Sequence, residues 1–315
     1  MTAQFEHQQN VSVEGSLKEL RVVPLKHVGR HAVAVVTVLA LAWLLVKIAG
    51  SPNMHWPDVF DYLFSKTIML GVLITIQLTI LCMMLGTVLG LLVAIMRMSS
   101  SVFLRSAAAG YVWFFRGTPV LVQLIFWYNL SLLFPRIGLF VPFTDVGGSA
   151  ATNSVISALM ASVLGLGLNV GAYMAEIFRG GILAVDPGQV EAATALGMHR
   201  SRVLRKIVLP QAMRVVIPPS GNQFIDLMKA TAMVAFIAGG DLLTRTQQIY
   251  SMNFLVIPLL VVASLWYLAL TTLATVGQHF LERRFGRSTT HTRPKTSASS
   301  RLANLAPWRR SKELA

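Results

Sequence analysis

Charge is missing from four long stretches of this chain: Thr67 to Met96, Gly117 to Pro135, Val146 to Ala175 and Thr246 to Leu281. A soluble helix keeps one polar face for water, and runs of this length leave none. About 20 apolar residues in a helix cross the hydrocarbon layer of a bilayer, so each run can form a membrane span. Ala32 to Ile48 is shorter and carries Lys47 near its far end, where a lysine can snorkel to the headgroups. A further span is expected between Val215 and Ala238, because the polar segments on either side must lie on opposite faces. The reading is an all-α integral membrane protein with six transmembrane helices. Their expected bounds are 32–49, 67–96, from Pro119 to Phe134, 154–178, 215–238 and 254–280.

Only 13% of the 315 residues are charged, against about 25% in soluble domains, yet the formal net charge is +14. The basic residues are sorted by position. With six spans and the N-terminus inside, only Lys47, Lys66, Arg136 and Arg245 fall on or near the outer side. That is the positive-inside bias. It puts both termini in the cytoplasm and accounts for the charge without nucleic acid. The basic, Ser- and Thr-rich C-terminal tail can touch anionic lipid headgroups. Residues 1–30 read as a cytoplasmic tail and 31–66 as one helix with its outer connection. Residues 67–284 read as the transmembrane domain and 285–315 as a disordered tail.

The chemistry of catalysis is missing. Cys82 is the only cysteine, which excludes an intrachain disulfide and gives no Cys/His metal cluster. There is no H-E-x-x-H pair and no nucleophile–base constellation, so no catalytic or metal-binding residue is expected. No G-x4-G-K-[ST] phosphate loop occurs; if ATP drives this protein, hydrolysis takes place on another polypeptide. An ion-driven secondary carrier would show internal repeats, and none is visible.

The polar segment between the fourth and fifth runs is the most specific part of the chain. Asp186-Pro187-Gly188-Gln189 has the form of a helix start, with Asp186 as cap and Gln189 as capping-box partner. Gly197 is placed to stop that helix in the left-handed conformation. Ser201 is expected to cap a second short helix that ends before Pro210. The exposed face of the hairpin is expected to hold Ala192, Ala193, Leu196 and the neighbouring arginines.

The spacing of Glu191, Ala192, Ala193, Gly197, Ile207, Leu209 and Pro210 (EAA-x3-G-x9-I-x-LP) resembles the loop by which membrane subunits of ATP-binding-cassette importers dock onto their ATPase. Further matches are Ala172-Tyr173-Met174-Ala175-Glu176, Phe115-Arg116-Gly117-Thr118-Pro119, Leu209-Pro210-Gln211-Ala212 and Ile217-Pro218-Pro219. Together they resemble the polar amino-acid permeases handling histidine, glutamine, glutamate, arginine and opines. The resemblance covers about Thr67 to Arg284, so the first span is an addition to the type I importer domain. One stretch departs from the family: Lys229-Ala230-Thr231-Ala232-Met233 stands where Lys-Asp-Thr-Ser-Leu is common. The resemblance implies a bacterial inner-membrane permease with two permease subunits, like or unlike. ATPase subunits would carry the ATP and Mg, and a periplasmic solute-binding protein would deliver the solute. It also implies ATPase docking by Glu191, Ala192, Ala193, Leu196, Gly197, Ile207, Leu209 and Pro210. A permease for another small solute is the alternative within transport.

Polar side chains inside the runs divide into two groups. Asn222, Gln223, Asp226 and Lys229 are spaced to share one helix face and are expected to line the translocation path; an ion pair at the membrane boundary is the structural alternative. Glu176 with Arg179 is expected to anchor the docking loop. Gln123, Asn129 and Asn169 are expected to bond between helices. Gly86-x3-Gly90 and Gly167-x3-Gly171 permit close packing, within the chain or between two subunits.

Overall fold

The computed structural model describes residues 28–140 and 147–286; the tail assignments to 1–27 and 287–315 lie outside them. The chain divides into two compact units, Met1–Met54 and His55–Ala315. The first contains helix α1 (Val28–Ala49), about 33 Å long at 1.5 Å per residue. Its apolar side chains from Val33 to Ile48 are exposed, as a lipid-facing helix requires, and Lys47 lies over the Trp43 ring at 6.0 Å.

The second unit begins with α2 (Trp56–Leu63) and α3 (Lys66–Arg97). Its boundary therefore falls earlier than the expected 66/67. The cause is packing: Val59 of α2 shares a core with Ile68, Val72, Met228, Leu242 and Val262, and Trp266 donates from its indole nitrogen to Leu63 O at 2.8 Å. Then come α4 (Val102–Gly117), α5 (Val120–Tyr128), strands β1 (Arg136–Phe140) and β2 (Gly147–Ala151), α6 (Thr152–Val155) and α7 (Ala158–Leu183). They are followed by α8 (Pro187–Ala195), α9 (Arg200–Val203), α10 (Leu209–Ala230), α11 (Leu242–Asn253) and α12 (Val256–Gly286). β1 and β2 pair antiparallel, with Arg136 opposite Ala151 and Phe140 opposite Gly147. These strands occupy the stretch between the expected third and fourth spans.

Three described helices, α3, α7 and α12, are long and apolar enough to cross a membrane alone, and up to six spans result if bent pairs count as one each. The expected third span is not one helix. α5 has 9 residues, too few to cross, and it meets α4 at a bend of 100°. Pro119 is the cause: it has no N–H and pushes Thr118 out of helical geometry, to φ −109° and ψ 143°. The carbonyls freed by the break are recovered. Gln123 Nε2 donates to Phe115 O and Thr118 O at 3.1 Å each, and Asn169 Nδ2 of α7 donates to Phe115 O at 2.7 Å. Asn129 instead bonds within its own helix, to Ile125 O.

α10 likewise departs from expectation. It starts at Leu209 and runs through Pro218 and Pro219 without stopping. A 7-residue 3-10 segment at the expected fifth span's end (Thr231–Ile237) then leads to Ala238 and Gly240 with positive φ (51° and 85°). The segment between the expected fifth and sixth spans holds the 12-residue helix α11. Asp241 starts it: its buried carboxylate accepts from Leu243 N at 3.0 Å and Thr244 N at 3.2 Å, and from the Thr244 hydroxyl.

α3 and α7 pack against each other at close range, and glycines set the approach. A Cβ on Gly86 would fall 2.5 Å from Val170 Cγ1, and one on Gly90 would fall 2.9 Å from Ala175 N and 3.0 Å from Gly171 O. A Cβ on Gly167 would meet Leu85, and one on Gly171 would meet the Tyr111 hydroxyl. Both small-residue patterns thus serve packing inside one chain. Around them lies the main core of Leu78, Cys82, Leu124, Leu166, Val170, Met174, Leu227 and Val234.

Gly90→Ala is expected to destabilise the bundle by about 1–3 kcal/mol, the usual cost of overpacking, because its neighbours, Met174 Cβ and the backbone of Gly171 and Ala175, cannot step aside. Gly277→Ala, with open space around its Cβ, should be neutral or stabilising by up to about 1 kcal/mol. The buried, single Cys82 supplies the assay: thermal unfolding followed by its reaction with a thiol dye should fall in temperature for the first variant only.

Candidate functional site

The polar segment after α7 is a rigid piece built from local rules. Asp186 caps α8 by accepting from Gly188 N at 2.8 Å, with Pro187 at the first helical position. The helix ends in a Schellman closure: Gly197 N donates to Thr194 O at 2.9 Å and Met198 N to Ala193 O at 3.1 Å. That closure needs φ near +75° at residue 197, which glycine adopts without steric cost. Gln189 does not complete a capping box. Its Oε1 accepts from Gln211 Nε2 at 2.6 Å, so it links α8 to α10 instead.

Two further expectations are corrected here. His199, not Ser201, caps α9, because its ring nitrogen accepts from Ser201 N. Nor does that helix end before Pro210. A π turn, Leu204–Val208, carries it into α10, with Leu209 N bonding Leu204 O. An ordinary α turn would ask Pro210 for an N–H that it lacks; the wider turn falls just where that donor is missing.

Of the residues carried over by the motif, Glu191, Ala192, Leu196, Gly197, Leu209 and Pro210 are exposed and Ile207 is half-buried. Leu196 is 83% exposed. Ala193 is the exception: expected on the outer face, it is 4% exposed. It packs with Val185, Val203, Val208 and Ala212, and its carbonyl closes the helix. A small residue there lets α8 and α9 fold onto each other.

The four polar residues of α10 do not act as one wall. Gln223 and Asp226 line a cleft of about 240 Å³ together with Val120, Asn169, Tyr173 and Ala230. Asn222 turns to α12, where its Oδ1 accepts from Gln278 Nε2 at 3.0 Å. The same Gln278 nitrogen reaches Glu282 Oε1 at 2.7 Å and Pro218 O at 3.3 Å. Gly221 makes the room, since a Cβ there would fall 2.6 Å from Gln278 Cδ. Lys229 Nζ pairs with Asp226 Oδ1 at 2.8 Å, and the two side chains are 57% and 65% exposed in the single chain.

At the α7 end of the cleft, Glu176 Oε2 accepts from Arg179 at 2.7 Å and 3.0 Å. Glu176 Oε1 lies 3.4 Å from Arg97 Nη2, so the pair pins α7 to the end of α3 rather than to the docking loop. Arg116 stacks its guanidinium on Tyr173 at 4.9 Å. Asn169 and Tyr173, which sequence reasoning had not assigned to the path, are cleft residues. Their signal was a polar side chain one helical turn from an aromatic in an otherwise apolar run. Among the described residues no group of three His, Cys, Asp or Glu could hold a metal ion. The arrangement offers amide hydrogen bonds and paired charges.

Residues 86–287 match the family model described as "Binding-protein-dependent transport system inner membrane component". The arginine transport system permease protein ArgU of Corynebacterium glutamicum is 42% identical over 290 residues, covering 92% of this chain and 89% of its own length. The histidine/lysine/arginine/ornithine transport system permease protein HisQ of Escherichia coli is 32% identical, over 71% of this chain and 95% of its own. Among solved structures, an amino acid ABC transporter crystallised with histidines superposes with a TM-score of 0.59 at 35% identity, covering 69% of this chain and 94% of that one. The chain belongs to the inner membrane component family of binding-protein-dependent transport systems, as a permease of the amino-acid ABC importer type.

Proposed function

We propose that this chain carries polar amino acids through the bacterial inner membrane on the energy of ATP hydrolysed by a separate ATPase docked at residues 186–210. Carrying the reading is the exposed Leu196, held beside Ala192 and Glu191 at the tip of a hairpin that is itself rigid. An isolated helix as short as α8 is marginal in water, and here caps at both ends and the Gln189–Gln211 bond hold it to α10. A push on the tip is therefore a push on α10, the helix that carries Asp226. Under this reading the ATP and Mg belong to the ATPase and this chain binds no cofactor. A periplasmic solute-binding protein delivers the solute, a second permease subunit completes the path, and both termini lie in the cytoplasm.

The substrate class rests on chemistry and kinship. Asp226, Lys229, Gln223 and Asn169 offer partners of both signs and neutral amides, which suits a zwitterion. An exposed ion pair on a membrane helix is costly against lipid and tolerable against a wet cavity or a partner subunit. The relatives named for arginine and for histidine, lysine, arginine and ornithine make these the first solutes to test.

Leu196→Asp is expected to abolish copurification with the ATPase while leaving the Cys82 unfolding temperature unchanged, since the side chain touches little of its own chain. Retained ATPase binding would remove the docking role. Asp226→Ala should lower ATP-dependent uptake in proteoliposomes by about tenfold or more, the loss of one charge-assisted hydrogen bond, with normal assembly. Unchanged uptake would assign the Asp226–Lys229 pair to structure alone.

A further inference from the structure

Arg245 on α11 is a cation that neither the docking loop nor the cleft uses. It sits where its neighbours carry no charge. A Cβ on Gly71 of α3 would lie 3.1 Å from Arg245 Cγ and 3.2 Å from its Cβ, and Leu242, one turn earlier, packs with Val262 and Ala263 of α12. Both partner stretches belong to charge-free runs. Gly71 is the residue that admits the arginine.

The guanidinium is poorly paired. Its Nη1 donates to Gln248 Oε1 at 3.2 Å, and its Nε is buried without a hydrogen-bond partner. No acidic side chain stands within ion-pair distance of it among the described residues. The nearest in sequence, Asp241, spends its carboxylate on Leu243 N, Thr244 N, the Thr244 hydroxyl and the Tyr267 hydroxyl.

α11 is also two-faced. Leu242 and Thr246 are buried on one side, while Arg245, Gln248 and Met252 follow the i, i+3, i+7 spacing of another, with the buried Thr244 at its edge. Gln248 is exposed. A face with an unpaired guanidinium and an amide is costly toward hydrocarbon, so it looks onto water or onto an anion.

We propose that Arg245, steadied by Gln248, takes the carboxylate of the amino-acid substrate on its passage through the bundle. The inference rests on the transport reading above and extends it to a second contact, away from Asp226. Arginine suits the role because its planar fork meets both carboxylate oxygens at once.

The test uses the whole importer (permease, ATPase and solute-binding protein) in phosphatidylcholine vesicles, with saturating solute-loaded binding protein and L-arginine, L-histidine and L-glutamine as probes. Arg245→Gln is expected to lower uptake of the accepted amino acid by about tenfold or more. ATP hydrolysis stimulated by the binding protein should stay within about twofold of the unsubstituted complex, so that solute moved per ATP falls. Arg245→Lys should recover most of the uptake. Uptake by Arg245→Gln close to the unsubstituted rate overturns the proposal, and so does a parallel loss of uptake and hydrolysis, which marks a structural role. A loss that appears only when phosphatidylglycerol is added assigns the guanidinium to lipid phosphate and overturns it too. An unsubstituted importer that moves no probe takes down the transport reading and this inference together; every other negative result removes Arg245 alone.

Discussion

In lipid, every backbone N–H and C=O must find its partner inside the protein, and this chain interrupts its membrane helices in spite of that constraint. Each interruption is matched by a named side chain. At the Thr118–Pro119 break, Gln123 and Asn169 recover the carbonyls of Phe115 and Thr118. At the Gly240 break, Asp241 satisfies the first amides of α11, and Thr75 Oγ1 accepts from Leu242 N at 3.1 Å. α10 passes its paired prolines without a break, and Gln278 of α12 reaches it at Pro218 O. The polar residues of the apolar runs are thus first a repair kit for broken backbone. One of them, Asn169, also lines the cleft.

Close approach is the second requirement. Lipid tails are as apolar as leucine, so helices in a bilayer associate by packing and hydrogen bonds rather than by escape from water. Gly86, Gly90, Gly167 and Gly171 bring α3 and α7 nearly backbone to backbone. The Tyr111 hydroxyl, donating to Leu168 O at 2.7 Å, ties α4 to the same pair. Glu176 with Arg97 and Arg179 closes the far end. This well-fixed pair is the frame against which α10 can move.

How much of this was legible in the sequence depended on whether one residue type sufficed. Charge-free runs located α3, α7 and α12, because burial in lipid is a property of composition. Gly197 and Asp186 located the ends of α8, since left-handed backbone and capping are local chemistry. The expected third span differs because charge-free composition does not register the bend at Pro119, which has no N–H for Phe115 O and holds Thr118 extended. α11 is polar enough in composition to resemble a link, and its partners on α3 and α12 hold it as a helix. Ala193 stands in an exposed motif yet faces inward, a distinction that depends on where α9 folds back and that spacing alone does not encode.

Under the transport reading, the chain's division of labour follows from the same physics. The residues that bond across α8 and α10 are uncharged amides, Gln189 and Gln211, which hold their geometry in water and beside a protein surface alike. Charged residues stand elsewhere: Asp226 with Lys229 on the expected path of α10, and Arg245, the proposed second contact, on α11. A paired charge can exchange its partner for a ligand at little net cost, because one ion pair replaces another. An unpaired one gains a partner only when the ligand arrives. Sites of these two kinds, placed one after another, let a zwitterion be held and then released without any single step binding it tightly. A carrier that must let go of its cargo at every turn needs that moderation.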